Sequence, residues 1–406
     1  MMNTLLDTLS SKDTWQEFHD YKQEKNQLTK KELKELDTFI AEEKYLQVTG
    51  TMSFSLPEKK EITKAGSSRK RIVYSYSEEE TWVLKLLTYE LYKYDDKISE
   101  HCYSFRRNLT AKNAFERIRR IPDLDHKYVL KLDIHDYFNS IDVEQLIVIL
   151  REVIADDPPL LDFLCSLLRQ HKCIRNGEIL EENRGAMAGV PLASFFANIY
   201  LRDLDQLMDD SHIPYFRYSD DMILFLEDSV QTEEYFQKVR SFLSSKGLTL
   251  NMDKYHVSPP EEPWEFLGFR YTRGKIDLAD MTIRKMQAKI RRKANRIYRN
   301  RTEKQIRYNK AARSMIRHFD NLFYDLTGSG EYTWIRYYFP VITSAEGLQK
   351  IDQTMVQYLR YLYSGRHYKG NFKITYEHLK SLGYTPLVHE YYQWKKENQS
   401  LAEQTT

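Results

Sequence analysis

The chain has 406 residues, of which 41% are hydrophobic and 30% charged, and its formal net charge at pH 7 is +2. This is the composition of a folded protein with about two to four subdomains. No apolar run reaches the ~18 residues that span a bilayer, and the first residues lack a signal sequence, so we expect a cytoplasmic protein. The spacing of Cys102, Cys165 and Cys173 suits neither a disulfide framework nor a zinc finger, which favours a reducing compartment.

The N-terminal third begins with polar, helix-favouring residues and continues into a basic region. Thr29 and Glu32 form a capping box that predicts a helix from Leu33 to about Glu43. Residues 53–76 alternate like strands around a basic cluster, and a hairpin with Arg or Lys near its tip suits a triphosphate or a template backbone. A second capping box at Ser77 predicts a core helix that follows.

Two acidic segments dominate the middle of the chain. Residues 128–138 alternate, with Lys131, Asp133 and His135 on one face of a predicted strand. Residues 215–225 predict a β-hairpin whose tip carries Asp220 and Asp221. Because adjacent carboxylates repel each other unless a cation neutralises them, convergence of these segments predicts a metal site. A lone Asp-Asp pair would instead indicate a polar turn.

The segments around these strands supply helices. Residues 143–179 predict leucine-rich helices broken at Pro158-Pro159, with a turn at Asn176-Gly177. Small residues over 185–189 allow close approach to the backbone, and a long helix is predicted from about Pro191 to Met208. Ser194 and Asn198 share one face of that helix.

The last third is basic and then aromatic. Residues 284–317 hold many Arg and Lys against the single acid Glu303, which predicts a helix that follows a phosphate backbone, aided by Tyr298 and Tyr308. A solvated helix face is the alternative. Residues 334–394 predict a further helix with Gly365 as its stop.

Several of these segments resemble the motifs of reverse transcriptases. Leu132–Phe138 resembles their first catalytic motif, and Tyr218-Ser219-Asp220-Asp221 resembles their Tyr-x-Asp-Asp signature. Arg184–Leu201 resembles the core motif between the two. Gly247–Lys254 and Phe266–Phe269 resemble the motifs that close the palm. The resemblance covers roughly residues 53–270, in the family's order and spacing.

The resemblance implies an α+β right-hand polymerase fold with fingers, a palm built on an antiparallel sheet, and a helical thumb. The expected divisions are an N-terminal helical extension at 1–45, packed on the fingers or on another subunit, fingers at 46–125, a palm at 126–270 with a fingers insertion at 143–183, and a thumb and tail at 271–406.

The resemblance also implies the roles of the acidic residues. Asp133, Asp220 and Asp221, with the backbone carbonyl of Ile134, would hold two Mg²⁺ ions, and Mn²⁺ could replace them. Lys254 would protonate the leaving pyrophosphate, with a surface lysine as the alternative. Phe138 would exclude a 2′-hydroxyl, although Tyr137 could exchange roles with it.

Other residues are expected to bind substrate or nucleic acid. In the resembled fold the fingers hairpin lies over the incoming nucleotide, which assigns Arg69 and Arg71 to it. Arg106, in an aromatic-Arg pair, is expected to contact a phosphate. Substrate contacts are also expected from Ser194 and Asn198, although Ala188 stands where the family usually has Gln. Duplex binding by the thumb is expected from Arg284, Lys289, Arg292, Arg296 and Arg299.

The predicted function is RNA-directed DNA polymerisation from dNTPs, with an RNA template and a DNA product as partners and no membrane. The tail over 334–394 resembles some bacterial defence-associated reverse transcriptases, which suggests antiviral defence with a non-coding RNA. An intron- or retron-type enzyme, an RNA polymerase disfavoured by Phe138, and a catalytically silent nucleic-acid-binding module are the alternatives. Tyrosine priming and a homo-oligomer or second polymerase chain are left open.

Overall fold

The computed structural model describes residues 4–25, 27–63, 70–182, 185–324 and 333–404. The chain divides into two compact units, Met1–Pro260 and Glu261–Thr406. Both contain helices and sheets, which confirms the predicted α+β class. In the described part of the chain, no helix is both long enough and apolar enough to cross a membrane.

The helices of the first unit are mostly capped by Ser, Thr or Asp side chains. The capping boxes predicted at Thr29 and Ser77 are both present. In chain order these helices are α1 (Leu5–Thr8), α2 (Lys12–Glu24), α3 (Lys30–Ala41), α4 (Tyr45–Thr49), α5 (Glu78–Glu90), α6 (Ala111–Ile118), α7 (Tyr137–Ser140), α8 (Val143–Val153), α9 (Pro158–Leu168), α10 (Ala193–Tyr200), α11 (Arg202–Asp210) and α12 (Ser229–Ser245).

The strands of the first unit form two four-stranded sheets. One has the order β2-β1-β4-β5, with β1 and β4 parallel, and the other has the antiparallel order β6-β7-β3-β8. The strands are β1 (Glu58–Thr63), β2 (Lys70–Ser75), β3 (Tyr128–Asp133), β4 (Lys172–Arg175), β5 (Glu178–Glu181), β6 (Tyr215–Tyr218), β7 (Asp221–Leu226) and β8 (His256–Ser258).

The antiparallel sheet brings the two acidic segments together. Strands β6 and β7 form the predicted hairpin, and β7 pairs with β3 so that Asp133 lies directly opposite Asp221. The backbone N–H of Ile134 donates to the carbonyl of Asp220 at 3.2 Å. The predicted convergence of Asp133 with the hairpin tip is therefore present.

A further segment extends this sheet beside β6. Cys102 forms a parallel bridge with Arg217, the N–H of Tyr103 donates to the Arg217 carbonyl at 2.8 Å, and the N–H of Arg217 donates to the His101 carbonyl at 2.8 Å. Residues 101–104 thus run along the outer edge of the hairpin. Their position places Phe105 next to the acidic turn.

A buried ion pair lies under the same turn. The side chains of Arg217 and Asp205 are both 0% exposed and share two hydrogen bonds, of 2.7 and 2.5 Å. The guanidinium also donates to the carbonyls of Ser219 at 3.3 Å and Asn198 at 3.1 Å. One side chain therefore connects α10, α11 and the turn that carries Asp220.

The N-terminal helices pack on this unit and share its core. Helices α1, α2 and α4 contact α5, and α1 also contacts α9. Trp15 and Phe18 are fully buried, and their rings pack at 6.1 Å. The backbone N–H of Leu5 donates to Asp157 at 2.8 Å. Within this chain, the extension is thus part of the hydrophobic core.

The second unit combines a small sheet with long helices. Its antiparallel sheet has the order β11-β10-β9, and α13 packs against α14 and α16. The elements are β9 (Trp264–Phe266), β10 (Phe269–Thr272), β11 (Lys275–Leu278), α13 (Asp280–Glu303), α14 (Tyr308–Tyr324), α15 (Trp334–Tyr337), α16 (Glu346–Ser364), α17 (Tyr376–Ser381) and α18 (Leu387–Gln404).

Three sequence predictions about these elements have clear outcomes. The prediction of one continuous helix from about Pro191 to Met208 is wrong, because Leu201 (φ −102°, ψ 9°) separates α10 from α11. The turn at Asn176-Gly177 is confirmed by positive φ at both residues. Gly365 ends α16 in the left-handed region, as predicted.

The buried ion pair between Arg217 and Asp205 leads to a prediction about the stability of the fold. Asp205→Asn leaves the Arg217 guanidinium buried without a counter-charge, so we expect the free energy of unfolding to fall by about 3–5 kcal/mol. The control Glu144→Gln removes the partner of Arg169 in an exposed pair and should leave the free energy of unfolding almost unchanged. Urea denaturation measures both. Equal losses for the two variants would contradict a special role for the buried pair.

Candidate active site

The two acidic segments line a cavity of about 540 Å³, here called the acidic cavity. Lys70 and Arg71 from β2 contribute one part of its wall. The other lining residues come from the ends of β3 and β6, the start of β7 and the neighbouring loops, and include Phe105, Asp133, Ile134, His135, Asp136, Phe138, Ala188, Tyr218, Asp220, Asp221, Asn251 and Lys254.

Asp133 is the most enclosed of the three acids. It is 2% exposed, and its carboxylate accepts from Asn251 Nδ2 at 2.9 Å and pairs with Lys254 Nζ. Its backbone carbonyl accepts from the N–H of Asn251 at 2.7 Å. Asn251 therefore holds both the main chain and the side chain of Asp133.

The electrostatics of the cavity are those of crowded carboxylates. Burial, reinforced by Asp133 and Asp221, raises the pKa of Asp220 to about 6. Burial also raises the pKa of Asp221, and Lys131 at 3.9 Å offsets part of that effect. Burial lowers the pKa of Lys254, but the bond to Asp133 and the nearby carboxylates outweigh it, so the pKa lies above its usual value. The positive charge of the nearby lysines therefore does not balance the negative charge of the three carboxylates.

The donor set fits a hard divalent cation. Among the residues that the structure describes, no three His, Cys, Asp or Glu side chains already form a closed metal-binding group. The buried Oδ1 of Asp221, however, has no hydrogen-bond partner, and carboxylate oxygens are the ligands that Mg²⁺ prefers. A cation would have to displace Lys254 from Asp133. It would at the same time relieve the repulsion that raises the Asp220 pKa.

The aromatic residues after Asp133 have distinct positions. Tyr137 is 2% exposed and its hydroxyl donates to the Ala197 carbonyl at 2.5 Å, so it belongs to the core. Phe138 is half-buried and lines the acidic cavity. The two residues therefore do not exchange places, and Phe138 is the ring available to a bound sugar.

Some residues expected to bind substrate lie elsewhere. The Arg106 guanidinium donates to the carbonyls of Ile98, Ser99 and Asp95, which leaves it holding a loop and not a phosphate. Asn198 is 1% exposed, and its amide bonds with Ser104 at 2.8 and 3.0 Å.

The placement of three more predicted residues is mixed. Ser194 donates to the Pro191 carbonyl at 2.9 Å and does not line the acidic cavity. Arg69 lies outside the described residues. Arg71 does line the acidic cavity, with its guanidinium 5.8 Å from the centre of the Phe138 ring. Of the five polar residues predicted to bind substrate, the structure thus brings Arg71 to the site.

The predicted nucleic-acid contacts of the second unit lie on one helix. On α13 the buried residues Ile283, Met286, Ile290 and Ala294 form one stripe. The helical period places the opposite face to solvent. The five predicted residues Arg284, Lys289, Arg292, Arg296 and Arg299 are exposed, as are Lys285 and Arg291, and within the described chain none of the five forms an ion pair with an acid.

Two tyrosines predicted to support that helix have structural contacts instead. Tyr308 is 8% exposed and donates to the Leu359 carbonyl at 3.3 Å, and Tyr298 donates to the Ser364 carbonyl at 3.2 Å. Their hydroxyls hold α13 and α14 against α16 and its end. The predicted aromatic contribution to nucleic-acid binding is therefore wrong for Tyr308, which is buried.

Sequence reasoning missed Asn251 and Phe105 as cavity residues, and Lys131 as the cation beside Asp221. Asn251 lies within Gly247–Lys254, a segment that resembles a family motif and that contains the predicted residue Lys254. Its place in this motif was the signal that could have identified Asn251. Lys131 shares the predicted strand face of Asp133. Phe105 is the aromatic residue of the aromatic-Arg pair, but the sequence does not show that its ring faces the cavity, where its backbone has a positive φ of 53°.

Comparisons with known proteins agree with this site. A sequence model of the family described as reverse transcriptase (RNA-dependent DNA polymerase) matches residues 58–271. No curated protein sequence matches the chain. The match takes in β1 to β9 and all three acids, so the predicted right-hand polymerase fold is confirmed.

Solved telomerase structures from yeasts show distant likeness. An apo telomerase from Candida tropicalis, truncated from the C-terminal domain, is 15% identical over 56% of this chain and 55% of that one, with a TM-score of 0.44. A telomerase from Candida albicans in complex with a TWJ fragment of telomeric RNA is 13% identical over 86% and 70%, with a TM-score of 0.45.

A further apo structure from Candida tropicalis is 14% identical over 82% of this chain and 60% of that one, with a TM-score of 0.47. At scores this low these likenesses carry no argument about function. This chain spans about half the length of the first of them. The family match covers more than half of the 406 residues, and the protein therefore belongs to the reverse transcriptase (RNA-dependent DNA polymerase) family.

Proposed function

We propose that the protein is an RNA-directed DNA polymerase that extends a primer with deoxynucleotides, using two Mg²⁺ ions. The observation that carries this proposal is the register of β3 and β7, which places Asp133 opposite Asp221 and beside Asp220 in one cavity with Phe138. Membership of the family supports the reaction class. Mn²⁺ could replace Mg²⁺ because both accept carboxylate oxygens.

The acids hold the metal in this proposal. When bound, two divalent cations lower the pKa of a 3′-hydroxyl and neutralise the charge on the pyrophosphate that leaves. Asp133, Asp220 and Asp221 supply carboxylate oxygens, and the Ile134 carbonyl adds a neutral one. Asn251 keeps the Asp133 carboxylate oriented through its 2.9 Å hydrogen bond.

Lys254 supplies the proton for the leaving group. Its ammonium pairs with Asp133, and its side chain is 52% exposed. If Asp133 held a cation, the ammonium of Lys254 would lose this partner and could donate to a pyrophosphate oxygen. Its raised pKa keeps the proton in place until then.

Two basic elements hold the substrate and the duplex. Arg71 lies in the wall of the acidic cavity, where it is placed to bind the triphosphate. In the second unit, the basic face of α13 contacts the phosphate backbone of the template–product duplex. The absence of acidic partners for this face in the described part of the chain supports that role.

The biological setting proposed here is antiviral defence in the cytoplasm of a bacterium, with a dedicated non-coding RNA. It rests on the resemblance of residues 334–394 to defence-associated reverse transcriptases. An intron- or retron-type enzyme is the competing assignment. The three aspartates in one cavity disfavour a silent binding module.

The catalytic proposal predicts a loss of synthesis. Asp133→Asn and Asp221→Asn each remove one negative ligand, and we expect primer extension with dNTPs to fall by about 10³-fold or more, since the metal supplies several kcal/mol. The control Asp162→Asn replaces an exposed acid on α9 and should leave the rate unchanged. Full activity in the first two variants would overturn the assignment of the metal ligands.

The raised pKa of Asp220 predicts proton-coupled metal binding. A carboxyl with a pKa of about 6 is ionised at about pH 7.5 and mostly protonated at about pH 5, so a cation must displace a proton at the lower pH. We expect Mn²⁺ affinity, measured by electron paramagnetic resonance, to fall about tenfold between these pH values. Asp220→Asn should bind more weakly and show a smaller pH dependence. The same pH dependence in both proteins would contradict a role for Asp220.

The basic face of α13 predicts a change in salt dependence. Arg292→Gln with Arg296→Gln removes two phosphate contacts, so the slope of log affinity against log salt should decrease by about 2 for an RNA–DNA duplex. Fluorescence anisotropy at several salt concentrations measures it. The matched control is Lys30→Gln with Lys34→Gln, which removes two exposed cations with the same spacing on α3. A slope change of the same size in the control would show a nonspecific charge effect.

The proposed setting predicts a defined template. Nucleic acid that co-purifies with the protein is sequenced before and after incubation with dNTPs, beside an Asp220→Ala, Asp221→Ala variant. We expect one discrete RNA and a complementary DNA that forms only with the unaltered protein. A heterogeneous mixture of templates would contradict a dedicated RNA, and incorporation of NTPs alone would indicate an RNA polymerase.

A further inference from the structure

We propose that Phe105 is a specificity-determining positioning residue that holds the Phe138 ring where it excludes a 2′-hydroxyl. The choice between deoxynucleotides and ribonucleotides then depends on Phe105 as well as on Phe138. This inference rests on the proposed function, in which Phe138 faces the sugar of the incoming nucleotide.

The main chain of Phe138 is fixed. The N–H of Ala186 donates to the Phe138 carbonyl at 2.8 Å. Gly185 has a φ of 53°, and a Cβ added there would lie 2.5 Å from the same carbonyl oxygen. Because glycine is required for this close approach, the backbone of Phe138 has little room to move. The position of its ring is then decided by the side chains around it.

Among the described residues, two aromatic rings and one guanidinium lie near the Phe138 ring, which also packs against the hydrophobic core. Tyr137 lies at 5.7 Å between ring centres and is part of the core. Arg71 lies at 5.8 Å, but it is exposed and has a long flexible side chain. Phe105 meets the ring edge-to-face at 6.4 Å and 71°, a favourable geometry for two aromatic rings. Phe105 is therefore the rigid neighbour on the cavity side.

Phe105 is itself held firmly by the residues next to it in the chain. The Oγ of Ser104 accepts from the N–H of Ser219 at 2.8 Å, which ties this segment to the acidic turn. On the other side, Arg106 donates to the Ser99 carbonyl at 2.8 Å and the Asp95 carbonyl at 2.9 Å. The ring is also 6.5 Å from that of Tyr218. Phe105 thus forms a fixed wall between the turn and Phe138.

The conformation of Phe105 has no evident benefit for folding. Its φ of 53° is unfavourable for a bulky residue, and its side chain remains 44% exposed. A strained backbone that exposes an aromatic ring to the acidic cavity gains little from burial. The ring instead lies edge-to-face against Phe138 in the cavity wall, and this position is the observation that favours a role in the site.

The test compares the selectivity of four proteins in primer extension. The measured quantity is the ratio of kcat/KM for a dNTP to that for the matching NTP, in the unaltered protein, Phe138→Ala, Phe105→Ala and the double variant. We expect the ratio to fall about 100-fold in Phe138→Ala and about tenfold in Phe105→Ala. The double variant should fall no further than Phe138→Ala, because Phe105 acts through that ring.

Further variants separate positioning from general damage. Phe105→Tyr keeps an aromatic ring and should give the ratio of the unaltered protein. Phe105→Leu should lower the ratio, and it provides the test if Phe105→Ala does not fold. The control Phe372→Ala removes an aromatic side chain that is 62% exposed and does not line the acidic cavity, so its ratio should not change.

The outcomes distinguish this inference from the proposed function. An unchanged ratio in Phe105→Ala and Phe105→Leu, beside a lowered ratio in Phe138→Ala, overturns the inference alone. Weaker primer–template binding at an unchanged ratio also overturns it and would indicate contact with a base. No synthesis by the unaltered protein, or an unchanged ratio in Phe138→Ala, overturns the proposed function and this inference with it.

Discussion

The acidic site depends on the buried contact between Arg217 and Asp205. A guanidinium removed from water loses a large hydration energy, and a bidentate carboxylate compensates for it only when the geometry is good. Since such pairs add little net stability over apolar residues, their value here is positional. Arg217 bonds to Asp205 of α11, to the Asn198 carbonyl of α10 and to the Ser219 carbonyl of the turn. These bonds fix the position of the turn relative to α10 and α11.

That rigid base permits an unfavourable arrangement of charge above it. Asp220 and Asp221 follow Ser219, whose φ of 60° is in the left-handed region, and they are half-buried next to Asp133. A loosely held turn would move to separate the carboxylates, and their pKa values would return toward normal. Here the fold keeps them together, and Lys131 and Lys254 neutralise only part of the charge. The remaining deficit of positive charge favours the binding of a small, highly charged cation in the proposed reaction.

The sequence predicted the strands and the acids well because their signals are local. Two-residue alternation sets which side of β3 carries Asp133, and the acidic tip between two apolar runs marks a hairpin. The place of Asn198 could not be predicted in the same way. Nearly every residue of α10 is buried, so helical periodicity does not identify a face toward the substrate. Arg217 is similar, since an arginine on a short strand is usually exposed, and its partner Asp205 lies on a separate helix.

Burial that the sequence pattern does not reveal also explains why resemblance to a family motif does not by itself identify the residues that contact substrate. Ser104, Asn198 and Arg217 all lie in or beside segments that resemble family motifs, yet the structure places them in one buried hydrogen-bond network. Phe105 is adjacent to Ser104 but lines the cavity, and its backbone adopts a positive φ of 53°. A motif therefore combines residues that contact substrate with residues that position them. Only the hydrogen bonds and the burial of each side chain separate the two groups.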